Sequence, residues 1–461
     1  MEVSFTNGQY MNFQRPLTAA SLFCSSGIGD IALHAAGAKA LVANEIISER
    51  AALFMHNFPF AKTFVGDIWK LEKDIVKEVR HRLAGKELDI LFATPPCQGM
   101  SKNGRGKLLN AIRKGQKPKL DPRNQLVIPT INIAVALQPR VLVMENVTEM
   151  ENTVIAKNGT EDFVYILDYI RERLGESYKG SWGKVEFADY GVPQRRQRLI
   201  TVFSRDPFAL KYMSVFKTVL PPRTHSQNPK NGFAPWMTVR EVIGNLPPLD
   251  AGKKETSAND DIPFHRVPFL DEDKYYWVSN TPPEKGAFDN QCVNPRCLYQ
   301  ENVTHGASRG TDGINRSHHN TPLYCEKCGE LIPRPWVRKG NELRLMKGYT
   351  SAYKRMNWDL PASTLTRNLS YACSDNKLHP SQNRVLSLYE AMLLHTITDF
   401  EYEWKRSDGG RVSDKLIRES VGESIPPRGM KIIFDHILQL LNHDSKVYEK
   451  HKNIPTQLEL F

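Results

Sequence analysis

From Leu17 to Phe203 short apolar runs, each stopped by turn residues, alternate with stretches of helical periodicity, the pattern of a mostly parallel sheet covered by helices. Leu17 to Phe23 alternate apolar and small residues as a strand does, and CSSGIGD then turns into a helical run holding Ile31, Leu33 and Ala36. Ala40 to Asn44 predicts a second strand, ended by Glu45, and GDI places Asp67 at the end of another. Ile90, Leu91, Phe92 and Ala93 read as a buried parallel strand that Pro95 and Pro96 cannot extend. Val141 to Met144 repeats the pattern and ends in Glu145 and Asn146. Phe163, Ile166, Leu167, Ile170 and Leu174 recur at helical spacing, as a crossover helix would, and Leu199 to Phe203 supplies a further strand. The predicted class is α/β.

From about Val215 the composition shifts to proline, lysine, asparagine and histidine, and the alternation stops until about Leu360. This predicts a smaller, irregular, β-leaning domain. Helical periodicity returns through Leu388, Met392 and His395. Ser420 to Pro427 reads as a turn, and a last helix carries Met430, Ile433, Phe434, Ile437 and Leu441 on one face. The expected division is 1–214, 215–380 and 381–461, with the tail after Asp444 loosely held.

Several strand ends carry chemistry. Cys97 follows two prolines in a rigid turn with Gly99 behind it, at the sheet edge where ligands bind in open α/β folds; PPCQG is too polar for core packing, so a nucleophilic thiol is expected. Gly27 and Gly29 form a tight strand-to-helix turn, and with Glu45 and Asp67 at neighbouring strand ends they outline a nucleoside pocket. Glu145, at the end of a buried strand, is a candidate proton donor because desolvation raises a carboxyl group's pKa. Arg196 and Arg198 alternate with strand period beside Tyr190, Gly191 and Pro193, as guanidinium forks for carboxylates or phosphates.

Composition narrows the partner. Formal net charge is +11, and the segment Lys102 to Asn124 is a long basic loop beside the cysteine turn, suited to closing over a phosphate backbone. No apolar run is long enough to span a membrane, and the N-terminus lacks the features of a signal peptide, so a cytoplasmic protein is expected. Among the seven cysteines, Cys292 and Cys297 form a C-x4-C arm, and Cys325 and Cys328 a C-x2-C arm closed by Gly329. Four thiolates in two knuckles match tetrahedral structural zinc; redox-active or adventitious thiols are the competing reading. Arg334, Trp336, Arg338, Lys339, Arg344, Lys347, Tyr349, Tyr353, Lys354 and Arg355 interleave cations and rings as phosphate contact and base stacking require.

PPCQGMS, the ENV triplet from Glu145 to Val147, QRRQR from Gln194 to Arg198 and the late VGESIPP stand in the order in which the DNA (cytosine-5)-methyltransferase family has its blocks, and the chain resembles that family over about Leu17–Phe203 and Trp358–Leu441. The resemblance implies a Rossmann-like catalytic domain that binds S-adenosylmethionine, a target-recognition domain, and double-stranded DNA in the cleft between them. Carried over, Cys97 attacks carbon 6 of a flipped-out cytosine, Glu145 holds and protonates ring nitrogen 3, and Arg196, with Arg198 nearby, orients the base. Phe23, Gly27, Glu45, Asp67, Ile68, Pro95, Glu423 and Ser424 become the cofactor residues. Ser25 and Ile28 stand where the family usually has glycine, and Glu423 where it usually has asparagine.

The cysteine knuckle lies outside the family's general pattern and is expected to brace the recognition domain. A bacterial modification or defence setting, a monomer near the nucleoid, and a cognate restriction or defence nuclease as partner are further expectations of the resemblance. Two alternatives stand beside it: a transfer-RNA cytosine-5 methyltransferase, against which the large inserted domain argues, and a non-catalytic zinc-containing DNA-binding regulator, against which the pairing of Cys97 with Glu145 argues.

Overall fold

The computed structural model describes residues 16–96, 121–157, 163–230, 232–310, 315–318, 320–347 and 350–452. Among the described residues, nine strands precede the irregular region: β1 (Leu17–Leu22), β2 (Ala38–Glu45), β3 (Lys62–Val65), β4 (Ile90–Ala93), β5 (Val141–Asn146), β6 (Val154–Ala156), β7 (Phe163–Tyr165), β8 (Lys179–Glu186) and β9 (Gln197–Ser204). Seven of them form one sheet in the order β3-β2-β1-β4-β5-β9-β8. The first five run parallel, while β9 lies antiparallel to both β5 and β8.

Period-two alternation splits the strands between two cores. Ala19, Ile90, Phe92, Val141, Val143, Ile200 and Val202 face one way. There they meet helix α1 (Ile28–Ala35) and the long apolar stripe Met430, Ile433, Phe434, Ile437 of the helix Pro427–Leu441. Phe434 meets Phe92 edge-on at 5.2 Å. Ala20, Leu22, Leu91, Ala93, Leu142, Met144 and Leu199 face the other way, against α3 (Ile68–Leu83), α4 (Val127–Leu137) and α5 (Ile166–Leu174). All four residues of β4 are at most 1% exposed, which is why ILFA shows no alternation of its own. α2 (Ser48–Asn57) follows β2 and adds Phe54 to a third cluster. Far from the strand ends that carry the chemistry, Arg140 bridges Asp89 (3.0 Å) and Asp206 (2.6 Å), tying the starts of β4 and β5 to the helix α6 (Pro207–Phe216).

Three sequence expectations change, and one strand is added that the sequence did not announce. Phe163 lies on the β6–β7 hairpin, 62% exposed, and the crossover helix begins only at Ile166. β8 has no apolar alternation, because Gly180, Gly183 and two lysines interrupt it, yet it completes the sheet's edge. Ser420 to Glu423 is the last turn of the helix Asp414–Glu423 rather than a turn between helices. Lys446–Lys452 forms a docked helix in which Val447 is buried and His451 stacks on Phe216 at 4.2 Å.

Between Phe216 and Leu388 the chain forms two-stranded pieces and short helices, among them Val239–Ile243, Glu272–Ser279 and the hairpin Trp336–Lys339 with Glu342–Leu345. Trp277, Phe288, Trp336 and Tyr353 build a core there. Val239, Ile243, Met356, Ala362 and Leu365 instead pack with Ile28, Phe54, Leu388 and Ile417 of the first and last thirds. No helix among the described residues is long and apolar enough to cross a membrane.

Candidate active site

After β1 the chain goes to β2 and β3 on one side and then crosses to β4 and β5 on the other, so a crevice opens beyond the ends of β1 and β4. The turn after β1 and residues 94–96 after β4 are both held in place. Phe23 (φ +58), Ser25 (φ +50) and Gly27 (φ +85) all take left-handed backbone, and a Cβ on Gly27 would stand 2.4 Å from Phe58 Cε2. Thr94, leaving β4, donates from N to the Leu22 carbonyl (3.2 Å) and from Oγ1 to the Phe23 carbonyl (3.0 Å). Asn146, ending β5, donates from Nδ2 to the Pro95 carbonyl at 3.2 Å. Thr94 is thus fastened to the turn after β1, and Pro95 to the Glu145 strand. Cys97 and the basic stretch 102–120 lie outside the described residues.

Glu45, Asp67 and Phe23 gather around the first loop. Glu45 is buried; its Oε2 accepts from Ser25 N (2.9 Å) and its Oε1 from Ile47 N (2.8 Å), leaving lone pairs on both oxygens, while burial raises its pKa. Asp67 caps α3 by accepting from Trp69 N at 3.1 Å. Ile46 (64% exposed) and Trp69 (39%) stand uncovered beside these acids, and the hydroxyls of Ser25 and Ser26 are buried with no partner among the described residues. A carboxylate for hydroxyl groups, apolar surface for a flat ring and orphan polar atoms beneath suit a nucleoside. Ile68 is buried as the first residue of α3, and Pro95 is buried where Asn146 holds it.

Glu145 is 7% exposed, and burial raises its pKa against the opposing charges of Arg198 and Arg196. Arg198 Nε lies 2.8 Å from Glu145 Oε1. Arg196 goes elsewhere. Its guanidinium, fully buried, donates to the carbonyls of Leu365 (2.8 Å) and Gly422 (3.1 Å). Around it Gln194 accepts from Leu365 N (3.0 Å), and its Nε2 donates to His395 Nδ1 (3.1 Å). His395 Nε2 in turn donates to Ser424 Oγ (2.9 Å). Burial and the charges of Arg196 and Arg198 push His395 far below its ordinary pKa, so the ring is neutral. Gly422 admits no side chain here, because a Cβ would lie 2.1 Å from Arg367 N.

Of the late block, then, Ser424 belongs to this buried joint, and Glu423 pairs with Arg50 of α2 at 2.7 Å. Sequence reasoning passed over Asn146, Gln194 and His395. The signal for Asn146 was present, since two polar residues end an otherwise apolar strand.

A cleft of about 830 Å³ runs beside Glu145, lined by Val147, Arg198, Trp236, Lys354, Ser363 and Asn376 among others. One wall comes from the end of β5 and the start of β9, the other from the irregular region.

A family model described as C-5 cytosine-specific DNA methylase matches residues 17–439. The chain belongs to this family. It is a methyltransferase that acts on carbon 5 of cytosine in DNA with S-adenosylmethionine as methyl donor. The type II methyltransferase M1.HgaI of Avibacterium volantium is 28% identical over 423 residues, covering 90% of this chain and 96% of its own. The type II methyltransferase M1.HphI of Haemophilus parahaemolyticus is 27% identical over 274 residues, 59% of this chain and 63% of its own. The solved S. pombe Dnmt2 methyltransferase aligns with a TM-score of 0.49 at 12% identity, covering 92% of this chain and 99% of that one.

This methyltransferase also carries a compact sulfur cluster. The Sγ atoms of Cys292, Cys297, Cys325 and Cys328 all lie within 4.8 Å of one another, with Cys292–Cys328 at 3.7 Å and Cys297–Cys325 at 3.9 Å. A disulfide needs about 2.05 Å. Metal–sulfur bonds of about 2.3 Å in a tetrahedron put sulfurs roughly 3.8 Å apart. Burial would raise Cys325, yet the Cys328 and Lys327 amides donating to its sulfur bring it down to about 6. Of the basic and aromatic residues flanking the cluster, Arg338, Lys339, Arg344 and Lys347 are exposed, whereas Arg334, Trp336, Tyr353 and Arg355 are buried and unavailable for phosphate contact or stacking. Tyr349 lies outside the described residues.

Proposed function

We propose that the enzyme methylates cytosine within a specific duplex DNA sequence, through covalent attack by Cys97 on a base flipped into the cleft beside Glu145. The observation that carries this reading is Glu145 itself: a buried carboxyl group with a raised pKa, steered by Arg198, one residue before the asparagine that grips the proline turn leading to Cys97.

Cytosine carbon 5 is a poor nucleophile while the ring stays conjugated. The Cys97 thiolate adds to carbon 6 as Glu145 gives a proton to ring nitrogen 3, so charge does not accumulate on the base. S-adenosylmethionine supplies the methyl group that carbon 5 then takes. Loss of the carbon 5 proton to a base, expulsion of the thiolate and return of the ring nitrogen 3 proton to Glu145 release 5-methylcytosine. A stacked base cannot reach a buried carboxyl group, hence the flipping. Phe23, Gly27, Glu45, Asp67, Ile68 and Pro95 would hold the donor, with Glu45 taking the ribose hydroxyls. Arg198 is the guanidinium on the base side, and Arg196 and Ser424 act behind it as positioning residues; Glu423, held by Arg50, would border the donor site.

The four cysteines would hold one zinc ion, for which their spacing and the amide-stabilised Cys325 sulfur speak. The relatives' type II designation supports a modification role in a bacterial cytoplasm, beside a cognate nuclease. Labelled donor, incubated with a genomic DNA library and followed by bisulfite mapping, tests the reading: methyl groups on cytosine in one sequence context support it, and methyl groups on adenine, or on transfer RNA alone, overturn it.

A further inference from the structure

Arg334 is a buried charge that neither the reaction nor DNA contact uses. It stands between the second cysteine arm and the hairpin Trp336–Lys339/Glu342–Leu345, and it is fully excluded from solvent. Its Nε donates to the Asn290 carbonyl at 2.8 Å, and its Nη1 donates to the carbonyls of Val303 (2.9 Å) and Pro322 (2.7 Å). Asn290 leads into Cys292, Val303 follows the first arm, and Pro322 leads into Cys325, so one guanidinium ties both arms together. Nη2 is buried with no hydrogen-bond partner among the described residues.

Every hydrogen-bond acceptor found for this group is a neutral carbonyl. The carboxylates that act on it through space are Asp289, just before the first arm, and Glu326, within the second. A buried arginine stays protonated and needs a counter-charge. Four thiolates around one divalent zinc carry a net charge of about −2, which would supply it from the inside.

We infer that Arg334 is the internal counter-cation of a tetrathiolate metal centre, the positioning residue through which metal occupancy sets the seat of the Trp336–Leu345 hairpin. This rests on the metal reading given above. Without the metal the guanidinium keeps its charge, the two arms are no longer clamped to one ion, and the carbonyls of Asn290, Val303 and Pro322 that hold the guanidinium move with them. The disturbance reaches the hairpin at once, because Trp336 is two residues on. Trp336 meets Trp277 edge-on at 5.1 Å, and its Nε1 donates to Asp273 at 3.0 Å. Arg338, Lys339 and Arg344 on that hairpin are exposed, so the effect falls on DNA affinity and leaves methyl transfer intact.

The test uses the full-length enzyme, Arg334→Met and Arg334→Lys, and measures metal per chain, zinc release to a colorimetric chelator, tryptophan emission, and kcat and KM for DNA. The wild type should hold one zinc and release it slowly. Arg334→Met should release it about tenfold faster or more, the scale on which groups around a metal's ligands act, with KM for DNA raised and kcat at saturating DNA unchanged. Arg334→Lys, which keeps the charge but not the fork, should fall between them. Equal release rates for wild type and Arg334→Met overturn the inference. Should Arg334→Met not fold, the wild type alone decides: chelation must shift tryptophan emission and speed amide exchange over 334–346, and metal loss without either change overturns the coupling. A wild type that never holds metal overturns the underlying metal reading, and the inference with it.

Discussion

Arg198 and Glu145 form an ion pair of 2.8 Å across two antiparallel strands, with Glu145 only 7% exposed. On the proposed reading the pair joins what the base needs: a carboxyl group kept ready to hold a proton by burial, and a cation that fixes its orientation. Because β9 runs antiparallel to β5, the start of one meets the end of the other, so the QRRQR segment reaches the carboxyl group although 52 residues separate Glu145 from Gln197.

Glu145→Gln keeps the shape and the hydrogen bond to Arg198 but cannot give up a proton. Activity should drop by about 10²–10⁴-fold, the usual worth of a positioned acid. Stability should move the other way. Burial raises the Glu145 pKa above its unfolded value, so the native state binds more protons than the unfolded state between the two values, and stability falls as pH rises through that window. The Gln variant escapes this loss. Thermal melts should find it at least as stable as wild type at pH 7, with the difference closing toward pH 4. A variant clearly less stable at pH 7 would show that the carboxylate form is what the fold favours.

Arg196→Met tests the division of labour between the two arginines. Removing a guanidinium from the Leu365 and Gly422 carbonyls should cost about 3 kcal/mol or more, since hydrogen bonds to charged groups are worth roughly 1.5–3 kcal/mol each. Arg198→Met should leave stability nearly unchanged and abolish most turnover. Denaturant titration read beside kcat separates them; an Arg196 variant of wild-type stability and lost kcat would return Arg196 to the base.

Gly27→Ala places a Cβ against Phe58 on a backbone that is left-handed, at φ +85. Strain of this kind costs about 1–3 kcal/mol. Calorimetric titration with S-adenosylmethionine should show weakened binding, while DNA affinity measured without the donor stays as in wild type.

What the sequence disclosed was whatever a local pattern encodes. ILFA, VLVM and LITVF are short apolar runs that have nowhere to go but a sheet, and C-x4-C with C-x2-C brings sulfurs together by spacing alone. β8 was hidden because KGSWGKVE has no apolar face, and only pairing with β9 makes it a strand. The different fates of Arg196 and Arg198 were hidden for a related reason. Both sit in one five-residue motif, and their partners, Leu365, Gly422 and Glu145, are far off in the chain. The pairing of Glu423 with Arg50, on a helix 373 residues earlier, was hidden in the same way.

The nucleophile is the claim on which the rest depends. A duplex library made with 5-fluorocytosine stalls the reaction after methyl transfer, because fluorine cannot leave carbon 5 as a proton does, and so traps the covalent enzyme–DNA species. With S-adenosylmethionine present, digestion and peptide mapping should find the adduct on the peptide holding Cys97, with none formed by Cys97→Ala. An adduct on another peptide, or one that persists in Cys97→Ala, would contradict the account.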